Sequence, residues 1–308
     1  MKLTSSETVT TMGEIWDTIS HGELDLTVQR LGAEPVSLRR NTRDGSVGYL
    51  YRDGDMSDAI SGWQNRCTLM GYHVQRLVNE KSDYEGDMIS SGTHGFLRHH
   101  RFGAPTKLKN GLEYSIQPDE IPSYSYPRKV SARIRYLLLE ESFRFEIELQ
   151  NEEKDRPAHV SFGWHPGFHV GSLTECGVLL PECMLTRILA PNNFLSGETA
   201  TLDHPGGLLR FPPKELPNSY IFDLRDSELE TITICDIAGS RRITMSLEEV
   251  PFLTIWSDGG KFLCVEPCWG IADHHKQRPF QDKLGMETIA PGESLIRGIT
   301  LTPENTNF

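Results

Sequence analysis

The sequence has no long apolar run. No window reaches the roughly 18 uninterrupted apolar residues that cross a bilayer as a helix, so no membrane partner is expected. Positive charge is also short, with 31 lysines and arginines against 43 aspartates and glutamates. A net charge of −12 lacks the basic footprint that a phosphate backbone requires, which argues against nucleic acid and anionic membrane surfaces. Cysteine is sparse and scattered. Cys67, Cys176, Cys183, Cys235, Cys264 and Cys268 form no C-x-x-C pair, which argues against a cysteine-only zinc site and against a disulfide framework. Buried thiols acting as small hydrophobes are expected instead. Residues 1–14 are polar and threonine-rich, without the basic end and apolar stretch of a signal peptide, so the expected compartment is the cytoplasm. Phosphate-loop, dinucleotide, G-x-S-x-G and H-E-x-x-H motifs are all missing, which takes support from nucleotide-dependent and serine-hydrolase chemistry.

Helical periodicity is the remaining absence. Only 14–19 and 282–286 read as a helical turn or two. What is present is frequent turn chemistry, with 27 glycines and 18 prolines spread through 308 residues. Turns are expected at Arg43-Asp44-Gly45, Asp53-Gly54, Asp258-Gly259-Gly260 and Pro291-Gly292, among others. Between turns run short segments of period two. Val130, Ala132, Ile134 and Tyr136 alternate with polar residues, as do Phe143, Phe145, Ile147 and Leu149, which predicts an antiparallel hairpin across 140–142. A second hairpin is predicted for 231–237 and 242–247 across Ala238-Gly239-Ser240. A third pairs 252–256 with 262–265, and the tail 295–302 alternates too. Many short strands without a βαβ rhythm predict an all-β protein, a large antiparallel β-sandwich. With no linker, repeat or composition break, a single domain over 1–308 is expected.

Four segments carry candidate chemistry. In His94-Gly95-Phe96-Leu97-Arg98 a histidine beside a glycine either reaches a ligand or bonds to backbone. In Gly163-Trp164-His165-Pro166-Gly167-Phe168, a histidine precedes proline and is therefore biased to extended backbone. Such a histidine can exchange a proton near neutral pH, or simply serve a turn. Glu266-Pro267 follows the apolar run Phe262-Leu263-Cys264-Val265, so Glu266 is either desolvated or turned to solvent. Arg76 sits among Val74, Leu77 and Val78, where an arginine either forks onto hydroxyls or lies on an edge. The pairs His99-His100 and His274-His275 do not chelate easily if extended, because neighbours on a strand face opposite ways, and no metal is expected.

Taken in order, Arg76, the H-G-F-x-R segment, the G-x-H-P-x-F segment and Glu266-Pro267 resemble the aldose 1-epimerase (galactose mutarotase) family. The nearest likeness is to its short-loop bacterial branch, and Ser123–Pro127 and 270–294 are similar to that branch as well. The resemblance implies a galactose mutarotase-like β-sandwich that interconverts the α and β anomers of a free aldose without a cofactor. It implies Glu266 as general base, His165 as general acid, and Arg76 and His94 as groups that hold the sugar. Asn218 falls where the family usually has a sugar-binding aspartate, Gly167 where an aromatic often follows His-Pro, and Cys268-Trp269 where a tryptophan commonly comes first. Trp269, with Trp63, Trp164 and Trp256, is a candidate for stacking on the sugar.

Ring opening takes a proton from O1 and gives one to O5, so the resting site is expected to hold Glu266 ionised and His165 protonated, each favouring the other's charge. Two rivals share the fold: a carbohydrate-binding domain without catalysis, and an epimerase of a phosphorylated or otherwise charged hexose. Arg39, Arg40, Arg98, Arg101 and Lys261 are the cations available to the latter. A small-molecule sugar is the expected partner, and the expected assembly is a monomer or homodimer.

Overall fold

The structure is a computed structural model that describes residues 3–10, 13–43, 45–53, 62–238 and 241–304. Each expected hairpin forms. Val130–Leu138 pairs with Phe143–Asn151, and the register sets Ala132, Ile134 and Tyr136 opposite Leu149, Ile147 and Phe145. These apolar pairs are buried. The alternate positions carry ion pairs on the outer face, Arg133 to Glu148 and Arg135 to Glu146. Thr231–Asp236 pairs with Arg241–Ser246, and Phe252–Trp256 with Phe262–Trp269. Ser294–Pro303 joins the first two hairpins by pairing with a strand of each. The turns at Arg43-Asp44-Gly45, Asp53-Gly54 and Ala238-Gly239-Ser240 include Asp44, Gly54, Gly239 and Ser240, which lie outside the described residues.

Among the described residues the paired strands are all antiparallel. They make a fifteen-stranded sheet, a five-stranded meander from Thr4–Val9 to Gly45–Gly48, and a two-stranded ribbon. Leu24, Leu26, Val28 and Leu38 of the meander share one core with Ile134, Phe145, Trp164 and Val265 of the large sheet. Buried tyrosine hydroxyls stitch the two sheets, Tyr114 donating to Asp17 and Tyr136 to the Ala33 carbonyl. The all-β antiparallel architecture agrees with the alternation in the sequence.

Two expected helical turns are corrected. Residues 14–19 lie mostly in the strand Ile15–His21, whose Asp17 and Ile19 are buried and whose partners are Thr4–Val9 and Leu24–Gln29. Branched side chains at Ile15, Thr18 and Ile19 suit a pleated surface better than a helix. At 282–286 a single 3₁₀ turn, Phe280–Asp282, ends where the expectation begins.

Three neighbouring strands position the site: Cys67–Tyr72, Ala158–His169 and Phe262–Trp269. On the middle strand Val160, Phe162 and Trp164 enter the main core, so Gly163, His165 and Gly167 face the other way. On Phe262–Trp269 the same alternation sends Leu263, Val265 and Trp269 to the core and leaves Cys264, Glu266 and Cys268 beside His165. The register pairs Gly163 with Cys268 and Gly167 with Cys264, so His165 stands directly across from Glu266. Between those pairs the ladder lapses at Trp164–Pro166 opposite Val265–Pro267. Pro166 and Pro267 have no N–H to give, and the seam opens where the acid and the imidazole meet. The outer neighbours remain paired, with Thr68 beside His165 and Thr254 beside Glu266.

The loop bearing His94 docks on the same strands by close backbone approach. His94 and Gly95 have φ of 68° and 74°, and Gly71 N–H donates to the His94 carbonyl at 3.0 Å. A Cβ on Gly95 would lie 2.2 Å from the Gly71 carbonyl oxygen, so only glycine fits. Gly95→Ala is expected to destabilise the fold by more than about 1 kcal/mol and to lower the melting temperature. An unchanged thermal melt would show that the loop docks in some other way.

Candidate active site

His165 and Glu266 meet at the floor of a cleft of about 200 Å³. His165 Nε2 lies 3.2 Å from Glu266 Oε1, and the two residues are 5% and 1% exposed. The cleft is also lined by Trp63, Arg76, His94, Arg98, Thr254 and Trp256. Trp63 stacks on the His165 ring at 4.9 Å, and Trp256 and His94 meet that ring edge-on at 5.7 and 5.2 Å. The imidazole is therefore walled by three rings and by the carboxyl group. A Cβ on Gly167 would lie 2.4 Å from the Trp63 ring, so the missing side chain at 167 makes room for that tryptophan.

Burial decides the electrostatics. Desolvation pushes the Glu266 carboxyl well above the usual carboxylate range. Desolvation, helped by the nearby Arg98 cation, brings His165 from its ordinary 6.5 down to about 3. Both shifts oppose the ion pair expected from the sequence. A protonated carboxyl against a neutral imidazole holds the same single titratable proton as a carboxylate against an imidazolium, without two buried charges. The correction concerns where the proton rests, not how many there are.

His94 is neutral for the same reason, held well below its ordinary range by burial and by the neighbouring His165. The Gln75 main-chain N–H donates to His94 Nδ1 at 3.2 Å. That bond fixes the tautomer: in the neutral ring Nε2 carries the proton and is a donor. Arg76 and Arg98 bring two cations to the cleft wall, and neither guanidinium has a hydrogen-bonded or ion-paired partner among the described residues. Of the other cations considered from sequence, Arg39 pairs with Asp53, Arg40 with Glu23 and Arg101 with Glu14. Lys261 is exposed and does not line the cleft.

The structure thus brings together Glu266, His165, Arg76 and His94. It does not bring Asn218 or Trp269 with them. Asn218 is exposed at the end of the 3₁₀ turn Leu216–Asn218, and the cleft is lined instead by its neighbour Ser219, whose φ is 57°. Trp269 is three residues beyond Glu266 and so on the opposite face. It is fully buried, stacks on Phe162 at 5.2 Å and donates its indole N–H to the Glu249 carbonyl. Trp164 is likewise core, stacked on Phe145. Thr254, which sequence reading passed over, is found through register, as the partner of Glu266 on the far strand. Gln75, Thr93 and Asn193 come from loops, where no periodicity marks them. Among groups able to hold a metal ion, His165 and Glu266 have one further neighbour, Cys264, with ligand atoms of all three within 4.8 Å of one another.

One buried residue outside the cleft, Asp273, holds two of its walls through its carboxylate and its main chain. Asp273 Oδ2 accepts from the Val78 main chain at 3.1 Å, and the Asp273 N–H donates to the Arg76 carbonyl at 3.0 Å. The Asp273 carbonyl accepts from Leu195, two residues after Asn193. Lys283 Nζ completes the arrangement at 2.6 Å from Asp273 Oδ1. Asp273→Asn is expected to cost about 3 kcal/mol or more, since it leaves a largely buried lysine without its counter-charge. It should also speed hydrogen exchange at 75–78 and 193–195 together. Loss of protection in only one of the two loops would refute the shared anchor.

Residues 18–302 match the aldose 1-epimerase family. The chain is 24% identical over 227 residues to the chromosomal protein LacX of Lactococcus lactis, covering 68% of this chain and 74% of that one. Its fold superposes on a galactose mutarotase related enzyme from Lactobacillus acidophilus with a TM-score of 0.84 at 21% identity, covering 94% and 98% of the two chains. It also superposes on a galactose mutarotase-like protein from Lactobacillus casei with a TM-score of 0.82 at 20% identity, covering 94% and 100%. The sheet order, the facing pair and a match over nearly the whole length lead to one assignment: the chain belongs to the aldose 1-epimerase family.

Proposed function

We propose that this protein interconverts the α and β anomers of an aldohexose by opening and reclosing the ring against the His165–Glu266 pair. The observation that carries the reading is the buried carboxyl–imidazole contact of 3.2 Å in a small cleft lined by both polar groups and tryptophans. At about 200 Å³ the cleft is below the roughly 300–1,000 Å³ of drug-sized sites and suits one small polar ligand. A sugar ring does not fit between groups in contact. O1 and O5 of a hemiacetal share one carbon, however, and can meet the pair from the cleft side.

The chemistry needs one proton acceptor and one donor at the same moment. A pair that shares one titratable proton is both. With the proton on His165, Glu266 takes the O1 proton while His165 gives one to O5. The C1–O5 bond breaks, its electrons leave on O5, and C1 becomes an aldehyde carbon. Rotation about C1–C2 and return of both protons closes the other anomer. With the proton on Glu266 the two groups exchange roles and the balance is the same. His94 Nε2–H and the two guanidiniums supply donors for the remaining oxygens. Trp63 and Trp256 offer flat apolar surface to the C–H face of the ring. A domain that only bound sugar would have no use for a buried acid–base pair.

A second reading of the substrate has its own observation. Arg76 and Arg98 line the cleft without an ion pair among the described residues, Glu34 acting on Arg98 only through space. Two unpaired guanidiniums favour a hexose that carries an anion, such as a phosphate. Anomerisation rates for glucose, galactose and glucose 6-phosphate separate the two. A rate advantage for the phosphorylated sugar of about tenfold or more, lost in Arg98→Gln, is the outcome expected of the anionic reading. Equal rates return the choice to neutral sugars.

Glu266→Gln and His165→Asn are each expected to slow anomerisation by about 10²–10⁴-fold while the circular dichroism spectrum stays unchanged. Polarimetry or exchange NMR on freshly dissolved α-anomer reads the rate, and wild-type rates in both variants would discard the mechanism. Stability should report the same pair. Folded Glu266 holds its proton more tightly than the unfolded chain does, so stability falls as pH rises above the ordinary 4.5. The melting temperature of Glu266→Gln should therefore gain on wild type with rising pH. Folded His165 resists protonation, so it lowers stability as pH falls from 6.5 toward about 3. A constant gap between Glu266→Gln and wild type across pH 5–8, taken as roughly the range of maximal stability, would contradict the buried neutral pair.

A further inference from the structure

Cys264 has no role in the chemistry above, yet it stands next to the reacting pair. It lies two residues before Glu266 on Phe262–Trp269 and therefore on the same face. Its cross-strand neighbour is Gly167, two residues after His165, which adds no side chain of its own and leaves room for the Trp63 ring. His165 Nε2 or Nδ1, Cys264 Sγ and a Glu266 oxygen all lie within 4.8 Å of one another, and all three residues are buried. We propose that His165, Cys264 and Glu266 form a thiophilic divalent-cation site, suited to Zn²⁺, whose occupancy excludes the sugar reaction.

The ligand set fits the ion. Zn²⁺ takes imidazole nitrogen, thiolate sulfur and carboxylate oxygen at about 2.0–2.3 Å in a tetrahedral shell. Such bonds set ligand atoms roughly 3.3–3.8 Å apart. The imidazole and carboxyl already stand 3.2 Å apart, and the thiol closes the remaining distance by a rotamer-scale shift. Charge fits as well. One thiolate, one carboxylate and one neutral imidazole cancel a dication, so the loaded site is neutral inside a region that burial makes hostile to net charge. The thiol and the pair give up their protons on binding, and no electron changes hands. Three protein ligands leave the fourth position for a water. A softer residue than oxygen in this triad favours Zn²⁺ over Mg²⁺ and Ca²⁺, which prefer all-oxygen shells.

The consequence for catalysis rests on the proposed anomerase reading. A metal that holds both Glu266 and His165 removes the acceptor and the donor together. Zn²⁺ should act as a dead-end inhibitor that competes with sugar, while Mg²⁺ should not.

The metal site is tested without reference to activity by titrating the intact protein with Co²⁺ under a phosphine reductant. Wild type should bind one equivalent with intense visible bands of tetrahedral cobalt and a near-ultraviolet thiolate charge-transfer band, both abolished by Zn²⁺. The charge-transfer band should vanish in Cys264→Ser and Cys264→Ala. It should survive in Cys183→Ser, which removes the half-buried thiol, the most exposed of the six. Circular dichroism identifies any Cys264 variant that fails to fold, and His165→Asn then provides the second removal of a ligand. Only the weak octahedral spectrum of hydrated Co²⁺ in wild type, or an unchanged charge-transfer band in folded Cys264→Ser, would overturn the site. In the activity arm, Cys264→Ser should keep its anomerisation rate and need at least about tenfold more Zn²⁺ for half inhibition. A protein with the cobalt spectrum but no anomerisation would retain the metal site and discard the anomerase reading; anomerisation without the spectrum would do the reverse.

Discussion

A carboxyl group and an imidazole placed face to face in a dry pocket must settle where one proton resides, and the rest of the cleft is arranged around that constraint. His165 and Glu266 reach each other because they sit across from one another in register, not because a loop delivers them. Desolvation then disfavours both charges, raising the acid and lowering the base until the neutral pair is the resting state. A site whose donor and acceptor exchange one proton is well matched to a reaction that takes a proton from one oxygen and returns one to its neighbour. Trp63, Trp256 and His94 maintain the dryness by walling the imidazole. Burial of this kind opposes folding, and the large shared core offsets it.

Much of the fold is legible in the sequence, for a simple reason. Strands that bury one face announce themselves by alternation, and Val130–Leu138, Phe143–Asn151 and Ser294–Pro303 all do so. Thr4–Val9 is exposed along its whole length, so it carries no alternation and passes for a polar tail. Ile15–His21 misleads for another reason: one of its two buried positions is the polar Asp17, which breaks the apolar alternation. Helical content, read as nearly nil, is limited among the described residues to short 3₁₀ turns.

The site divides along the same line. Residues in proline-broken strands, His165 and Glu266, stand out because a histidine before proline and an acid after an apolar run are conspicuous. Asn218 falls in a turn between strands, where one residue of slippage changes which side chain faces the cleft, and Ser219 is the one that does. Trp269 is, by residue type, a candidate for stacking on a sugar, but an odd offset from Glu266 on a strand sends it to the other side. The charge state was legible least of all. Pairing and desolvation pull in opposite directions, and only burial tells which prevails.

Asp273 ties the Arg76 loop to the Asn193 loop from outside the cleft, whereas the reacting pair is set by backbone register in the sheet. On the proposed anomerase reading, recognition and chemistry therefore hang on separate parts of the architecture. Side chains at the loop tips can then be exchanged to suit a different sugar without disturbing proton transfer, so long as Asp273 behind them is kept. Such modularity gives the scaffold freedom to drift in selectivity while its reaction stays fixed.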